Sequence, residues 1–229
     1  MPDALLSVTQ VAPYLTGPAG VHGVLGQAAV GVAQIAEVAG LRATQVPDVR
    51  DIPAGELERA RALALFTIGE TPWSDAQKAT VTERLRSGDL AVLAIHSATD
   101  ACYSWPEYRD IVGARFNGHP WTQAMELDVV DGDHPATRHL GPTWAWTDEV
   151  YQFREIRPDA HVLLRVPPGQ LDLERPGVEQ PPEGFPLSWC FSQGAGRVFS
   201  TSLGHFPAAW ESPTYLQHLV GGLQWALTA

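Results

Sequence analysis

Two histidines stand where segments that read as strands end. LAVLAI (90–95) ends at His96 and Ser97, and RVFSTSLG (197–204) ends at His205. Imidazole is the side chain whose unperturbed charge change falls nearest neutral pH, so two brought together can supply an acid and a base at once. TDEVYQF (147–153) adds Asp148, Glu149 and Tyr151, two carboxylates and a phenol within four residues, of which Glu149 could orient or polarise an imidazole. His119, in NGHPW, precedes a proline and reads either as a turn residue or as a site wall. Each group has a plainer reading: a local backbone hydrogen bond for either histidine, a solvated turn for the acidic pair. A metal reading uses the same set. His96, His205, His119 and Glu149 could hold Zn²⁺ with one position left open for water, although the helical histidine spacing of the familiar zinc motifs is absent.

The elements that must position these residues follow from apolar periodicity. LLSVTQ (5–10) reads as a strand followed by a Pro/Gly-rich turn. Leu25, Ala28, Val32, Ile35 and Ala39 mark one face of a helix that Gly40 stops. LRATQV (41–46) and ALALFTIG (62–69) read as strands, the second apolar on both faces as a parallel sheet requires. Ser74 and Gln77 form a capping-box pattern for a helix through Val81 and Leu85, stopped at Gly88, and LAVLAI then delivers His96. This alternation is the signature of parallel βαβ units. MELDVV (125–130) and HVLLRV (161–166) read as further strands, and 186–205 as a hairpin turning at SQGAG. Ser212 and Pro213 open a last helix. Residues 167–186 hold six prolines and read as an irregular loop, either a lid or a surface excursion. With no repeat or linker in view, residues 1–229 read as a single doubly wound α/β domain. In such sheets ligands bind beyond the carboxyl ends of the strands, where His96 and His205 both fall.

Composition narrows the function. A net charge of −11 argues against nucleic acid or an anionic membrane as partner, because both need clustered Lys and Arg. Cys102 and Cys190 are too few for a disulfide framework. No apolar run approaches a membrane span and the first ten residues lack a secretory pattern, so the expected location is the cytoplasm. No phosphate-binding glycine motif is present.

IHSATDACYSWPEYRDIVGARFNGHPW, DHPATRHL, DEVYQF and GRVFSTSLGHFPAAW, in that order and spacing, resemble the ThuA-like (trehalose utilisation) family over roughly residues 90–227. The resemblance implies a flavodoxin-like, doubly wound, mostly parallel sheet with helices on both faces, similar to class I glutamine amidotransferases. In those enzymes a cysteine occupies a strand-to-helix elbow and a histidine near the C-terminus completes a triad. Here His96 takes the cysteine's place and His205 the histidine's. Imidazole cannot replace a thiolate in glutamine hydrolysis, so amidotransferase activity is not expected, and Ser97 and Cys102 lie off the elbow. The resemblance implies an enzyme acting on trehalose, a related disaccharide or a keto-sugar, as a hydrolase, isomerase or lyase, with His96, His205 and Glu149 catalytic. Ser97, His119, Asp148, Tyr151, Trp105 and Trp210 would bind the substrate, the tryptophans by stacking on sugar C–H surfaces. A non-catalytic sugar-binding or interaction module and a metal-dependent hydrolase are the alternatives, and self-association stays open. On the catalytic reading the two rings should lie within ~12 Å, two to three strand spacings.

Overall fold

The computed structural model describes residues 4–12, 23–179 and 183–228. The Pro/Gly-rich turn expected after the first strand and residues 180–182 of the proline-rich loop lie outside them.

The first half alternates as the apolar pattern requires: β1 (Ala4–Val11), α1 (Leu25–Val38), β2 (Arg42–Val46), α2 (Glu56–Arg59), β3 (Ala60–Ile68), α3 (Asp75–Ser87) and β4 (Ala91–Ile95). The second half runs α4 (Tyr108–Val112), β5 (Arg115–Phe116), β6 (Trp121–Val129), β7 (Thr143–Val150), β8 (Phe153–Arg154), β9 (His161–Val166), β10 (Phe185–Gln193), β11 (Gly196–Thr201), α5 (Pro207–Glu211) and α6 (Pro213–Leu227). Nine strands form one sheet in the order β2-β1-β3-β4-β11-β10-β9-β6-β7. The first five are mutually parallel and the last four extend the sheet antiparallel. The fold is therefore flavodoxin-like and doubly wound, as expected, with an antiparallel wing added. Asp148 and Glu149, for which a solvated turn is the plainer reading, lie instead near the end of strand β7.

Successive residues of a strand face opposite ways, and the core follows that rule. Ala62, Ala64 and Phe66 join the apolar layer under α1 and α6, whereas Leu63 and Leu65 join the layer under α3 and α4. Ser74 caps α3 through a complete capping box, and Ser212 accepts from the Tyr215 amide at the start of α6. Gly40 and Gly88 adopt left-handed conformations (φ 75° and 87°) that end α1 and α3 where the sequence predicts. Among the described residues no helix is long and apolar enough to cross a membrane.

His218 fastens α6 to the turn at 134–136. Its Nδ1–H donates to the Ala136 carbonyl at 2.7 Å, and its Nε2 lies 3.2 Å from the Ser188 hydroxyl. Complete burial pushes its pKa down from 6.5 to about 3. The folded state therefore binds fewer protons than the unfolded chain between those values, and stability, intact above pH 6.5, is lost as the pH falls toward 3. His218 alone should cost about 2 kcal/mol between pH 7 and pH 5. Urea unfolding at the two pH values should show a smaller loss in His218→Gln than in wild type; equal losses would remove His218 from the account.

Candidate active site

Strands β4 and β11 are parallel neighbours with Ile95 opposite Thr201, so the segments after them leave the sheet side by side. His96 follows β4 at once, with φ 51°, and opens a 3-10 turn, His96–Asp100. Left-handed backbone is uncommon for a residue with a Cβ and gathers at functional sites. His96 Nδ1 lies 2.9 Å from the Ser202 carbonyl oxygen. A carbonyl can only accept, so Nδ1 carries a proton and Nε2 is the ring nitrogen left to face the cluster. Around that nitrogen stand the Tyr151 hydroxyl at 3.2 Å, His205 Nδ1 at 3.3 Å and Glu149 Oε2 at 3.8 Å. His205 Nδ1 is 3.4 Å from Glu149 Oε2, and the other carboxylate oxygen is 3.6 Å from His119 Nδ1.

Exposure is graded across this cluster. The His96 side chain is 0% exposed and Glu149 9%, against 27% for His205 and 44% for His119. His96 is thus the floor, and His205 and His119 form the mouth. Phe66 meets the His96 ring edge-on at 5.4 Å, while His119 stacks on Tyr151 at 5.8 Å. Burial raises the Glu149 pKa; the neighbouring His205 opposes the rise and Asp148 adds to it. Tyr151 is raised well above its ordinary value, first by burial and then by Glu149.

Glu149 reaches His96 from the sheet's far edge because the β6–β7 hairpin peels away. β6 pairs with β7 over eight residues but with β9 only at Asp128 and Val129, which frees the β7 end to arch back over the strand ends. Asp148, 0% exposed, locks that arch. Its carboxylate accepts from the Gly204 amide (2.8 Å), the His205 amide (3.3 Å), the Trp146 indole (3.0 Å) and the Glu149 amide (3.0 Å). Burial raises its pKa against those donors.

The structure therefore joins His96, His205, Glu149, Tyr151 and His119, and corrects four expectations of substrate contact. Asp148 is sealed from solvent with its oxygens taken up by protein donors, so it positions the His205 segment. Trp105, 4% exposed, packs against Trp73 and Tyr108 in the apolar layer under α3 and α4. Trp210, 5% exposed, stacks on Phe66 and donates its indole N–H to the Gly204 carbonyl, bracing the turn from behind. Ser97 is buried, and its hydroxyl makes no hydrogen bond to the cluster. Cys102 is buried too: its thiol lies 3.0 Å from the Thr71 hydroxyl, and burial raises its pKa, the reverse of an activated nucleophile.

Sequence does not single out Asp100, although it lies four residues beyond His96. Burial raises its pKa; the Tyr103 hydroxyl, donating at 2.6 Å, and nearby His119 oppose the rise. Its only sequence signal is its place in the turn that His96 opens. The described part of the proline-rich loop is pinned: Trp121 donates to the Asp172 carbonyl, Gln170 bonds both backbone groups of Glu126, and Gln152 bonds Gly177 and Glu179.

The doubly wound sheet, with left-handed His96 at the end of one parallel strand facing a histidine just beyond its neighbour, is a class I glutamine amidotransferase-like fold with imidazole at the elbow. The chain belongs to the ThuA family, described as "Trehalose utilisation", whose pattern matches residues 15–226. Solved structures share the fold. A protein described as ThuA-like from Bacteroides uniformis superposes with TM-score 0.76 at 20% identity, covering 98% of this chain and 90% of that one. A second, from Parabacteroides merdae, gives 0.75 at 19% over 100% and 91%. A protein from Thermoplasma acidophilum, described as part of a GMP synthase, gives 0.53 at 10% over 100% and 95%, a likeness of fold alone. No curated protein matches the chain.

Proposed function

We propose that this chain is an enzyme acting on a small carbohydrate, trehalose or a related disaccharide or keto-sugar, with His96, Glu149 and His205 as its reactive centre. The observation that carries the reading is convergence: three basic atoms from three separate elements lie within 3.8 Å of one another beneath a partly exposed rim. The family description supplies the substrate class. Because Ser202 fixes the His96 tautomer, Nε2 is the end that accepts a proton, and His205 and Glu149 stand close enough to pass it on. His119, the most exposed member, is placed to exchange protons with solvent. Imidazole at the elbow supports a reaction other than glutamine hydrolysis. A single domain, with all three residues at or just beyond the strand ends of one sheet, a cytoplasmic location and a small-molecule partner complete the reading.

The test is turnover of trehalose, other disaccharides and their 3-keto derivatives by the purified chain, followed by NMR of the products. Product formation that disappears in a His96→Ala/His205→Ala double variant is expected; equal turnover by wild type and double variant would sink the assignment. The missing elbow cysteine favours a second reading, a sugar-binding module without chemistry, and calorimetric binding of the same sugars with no product would select it.

A further inference from the structure

We propose that the point shared by His96 Nε2, His205 Nδ1 and Glu149 Oε2 is a binding site for one divalent transition-metal ion of the Zn²⁺ type. The inference rests on the reading of this cluster as the reactive centre and deepens it.

The distances carry the argument. A tetrahedral Zn²⁺ bound at its usual 2.0–2.2 Å to nitrogen and oxygen sets its ligands about 3.3–3.5 Å apart. The three atoms here are separated by 3.3, 3.4 and 3.8 Å. A carboxylate and two imidazole nitrogens so close must share protons or a cation. The His96 ring is already set for the second: its Nδ1–H is committed to the Ser202 carbonyl, the outer-shell bond that a metal-binding histidine commonly makes through its other nitrogen. His205 is held from behind by Asp148 at its own amide and at that of Gly204. Two nitrogens and one carboxylate also select the metal. Ca²⁺ and Mg²⁺ prefer oxygen ligands in larger or octahedral shells, whereas imidazole suits zinc and its neighbours. Three protein ligands leave a fourth position for water or substrate. A bound cation there polarises an oxygen of substrate or water.

The experiment needs no substrate. Protein freed of metal by chelator is titrated with CoCl₂, then with ZnCl₂ in competition, and bound metal is counted by elemental analysis. One equivalent of Co²⁺ per chain is expected, with the visible absorption of a low-coordinate cobalt site, displaced by one equivalent of Zn²⁺. His205→Ala and the isosteric Glu149→Gln should each weaken binding at least about 100-fold, the upper end of what loss of an outer-shell partner alone costs. His161→Ala, which removes the exposed histidine paired with Asp131 at 2.8 Å, should bind as wild type does. If His205→Ala fails to fold, as its thermal midpoint would show, Glu149→Gln decides alone. No stoichiometric binding, unchanged binding in Glu149→Gln, or loss on His161→Ala would overturn the proposal. The two readings fail separately: metal bound without sugar turnover removes the enzyme and leaves the site, whereas full turnover by chelator-treated protein removes the metal and leaves the enzyme.

Discussion

His96→Asn should lower turnover of the sugar substrate by about 10²–10⁴-fold, the range for losing a proton-transferring group, with little change in the thermal midpoint. Asparagine is the informative replacement. It tolerates left-handed backbone better than most residues, so the elbow at φ 51° keeps its shape. Its side-chain amide can still donate to the Ser202 carbonyl, but it has no second ring nitrogen to reach His205 and Glu149. The backbone and the buried bond survive while the lone pair at Nε2 disappears. His119→Ala should fall by less, about 10-fold, because its 44% exposed ring borders the cluster and solvent can take over proton exchange. Steady-state kinetics on the substrate found by product analysis reads both. Undiminished turnover in His96→Asn would place the chemistry elsewhere.

How much of this site is legible in the sequence depends on how local its causes are. His96 and His205 stand out because each follows a segment that reads as a strand, LAVLAI and RVFSTSLG, and parallel strands point their carboxyl ends at the ligand side. Their adjacency agrees with the βαβ rhythm, since β4 and β11 belong to the parallel half of the sheet. Glu149 is visible as a candidate, but its sequence fits a solvated turn equally well. Its segment, TWAWTDEV, ends in consecutive buried residues, so period-two alternation fails just where the site lies. The short β6–β9 pairing that lets the hairpin arch back is a property of register, which no local pattern encodes. The tryptophans mislead for a related reason. An aromatic beside a polar motif in sequence can point to either face of the sheet, and Trp105 points away. In sequence, Asp148 is indistinguishable from Glu149 in type and neighbourhood. Only the three amides and the indole that surround it make one carboxylate structural and the next reactive.

That division yields the largest expected stability change. Asp148→Ala would leave the Gly204, His205 and Glu149 amides and the Trp146 indole without their acceptor in a place that is 0% exposed to water. One buried donor stripped of its partner costs about 1–3 kcal/mol, and removing one side of a buried charged network about 3–5. Relaxation of the turn would recover part of this, so a loss of about 3–4 kcal/mol is expected in urea unfolding. Asp148→Asn separates charge from shape. One amide oxygen can still accept from Gly204, but the new NH₂ faces donors, and roughly half the loss should persist. Both variants should also lower turnover in protein that remains folded, because the His205 amide loses its anchor and the ring loses its alignment with His96 at 3.3 Å. A substrate-binding Asp148 would behave otherwise: KM would rise while unfolding stayed as in wild type. That result would return Asp148 to the binding surface and leave the His205 segment to be held by Trp210 and Tyr215, which bond the Gly204 and Leu203 carbonyls from the opposite side.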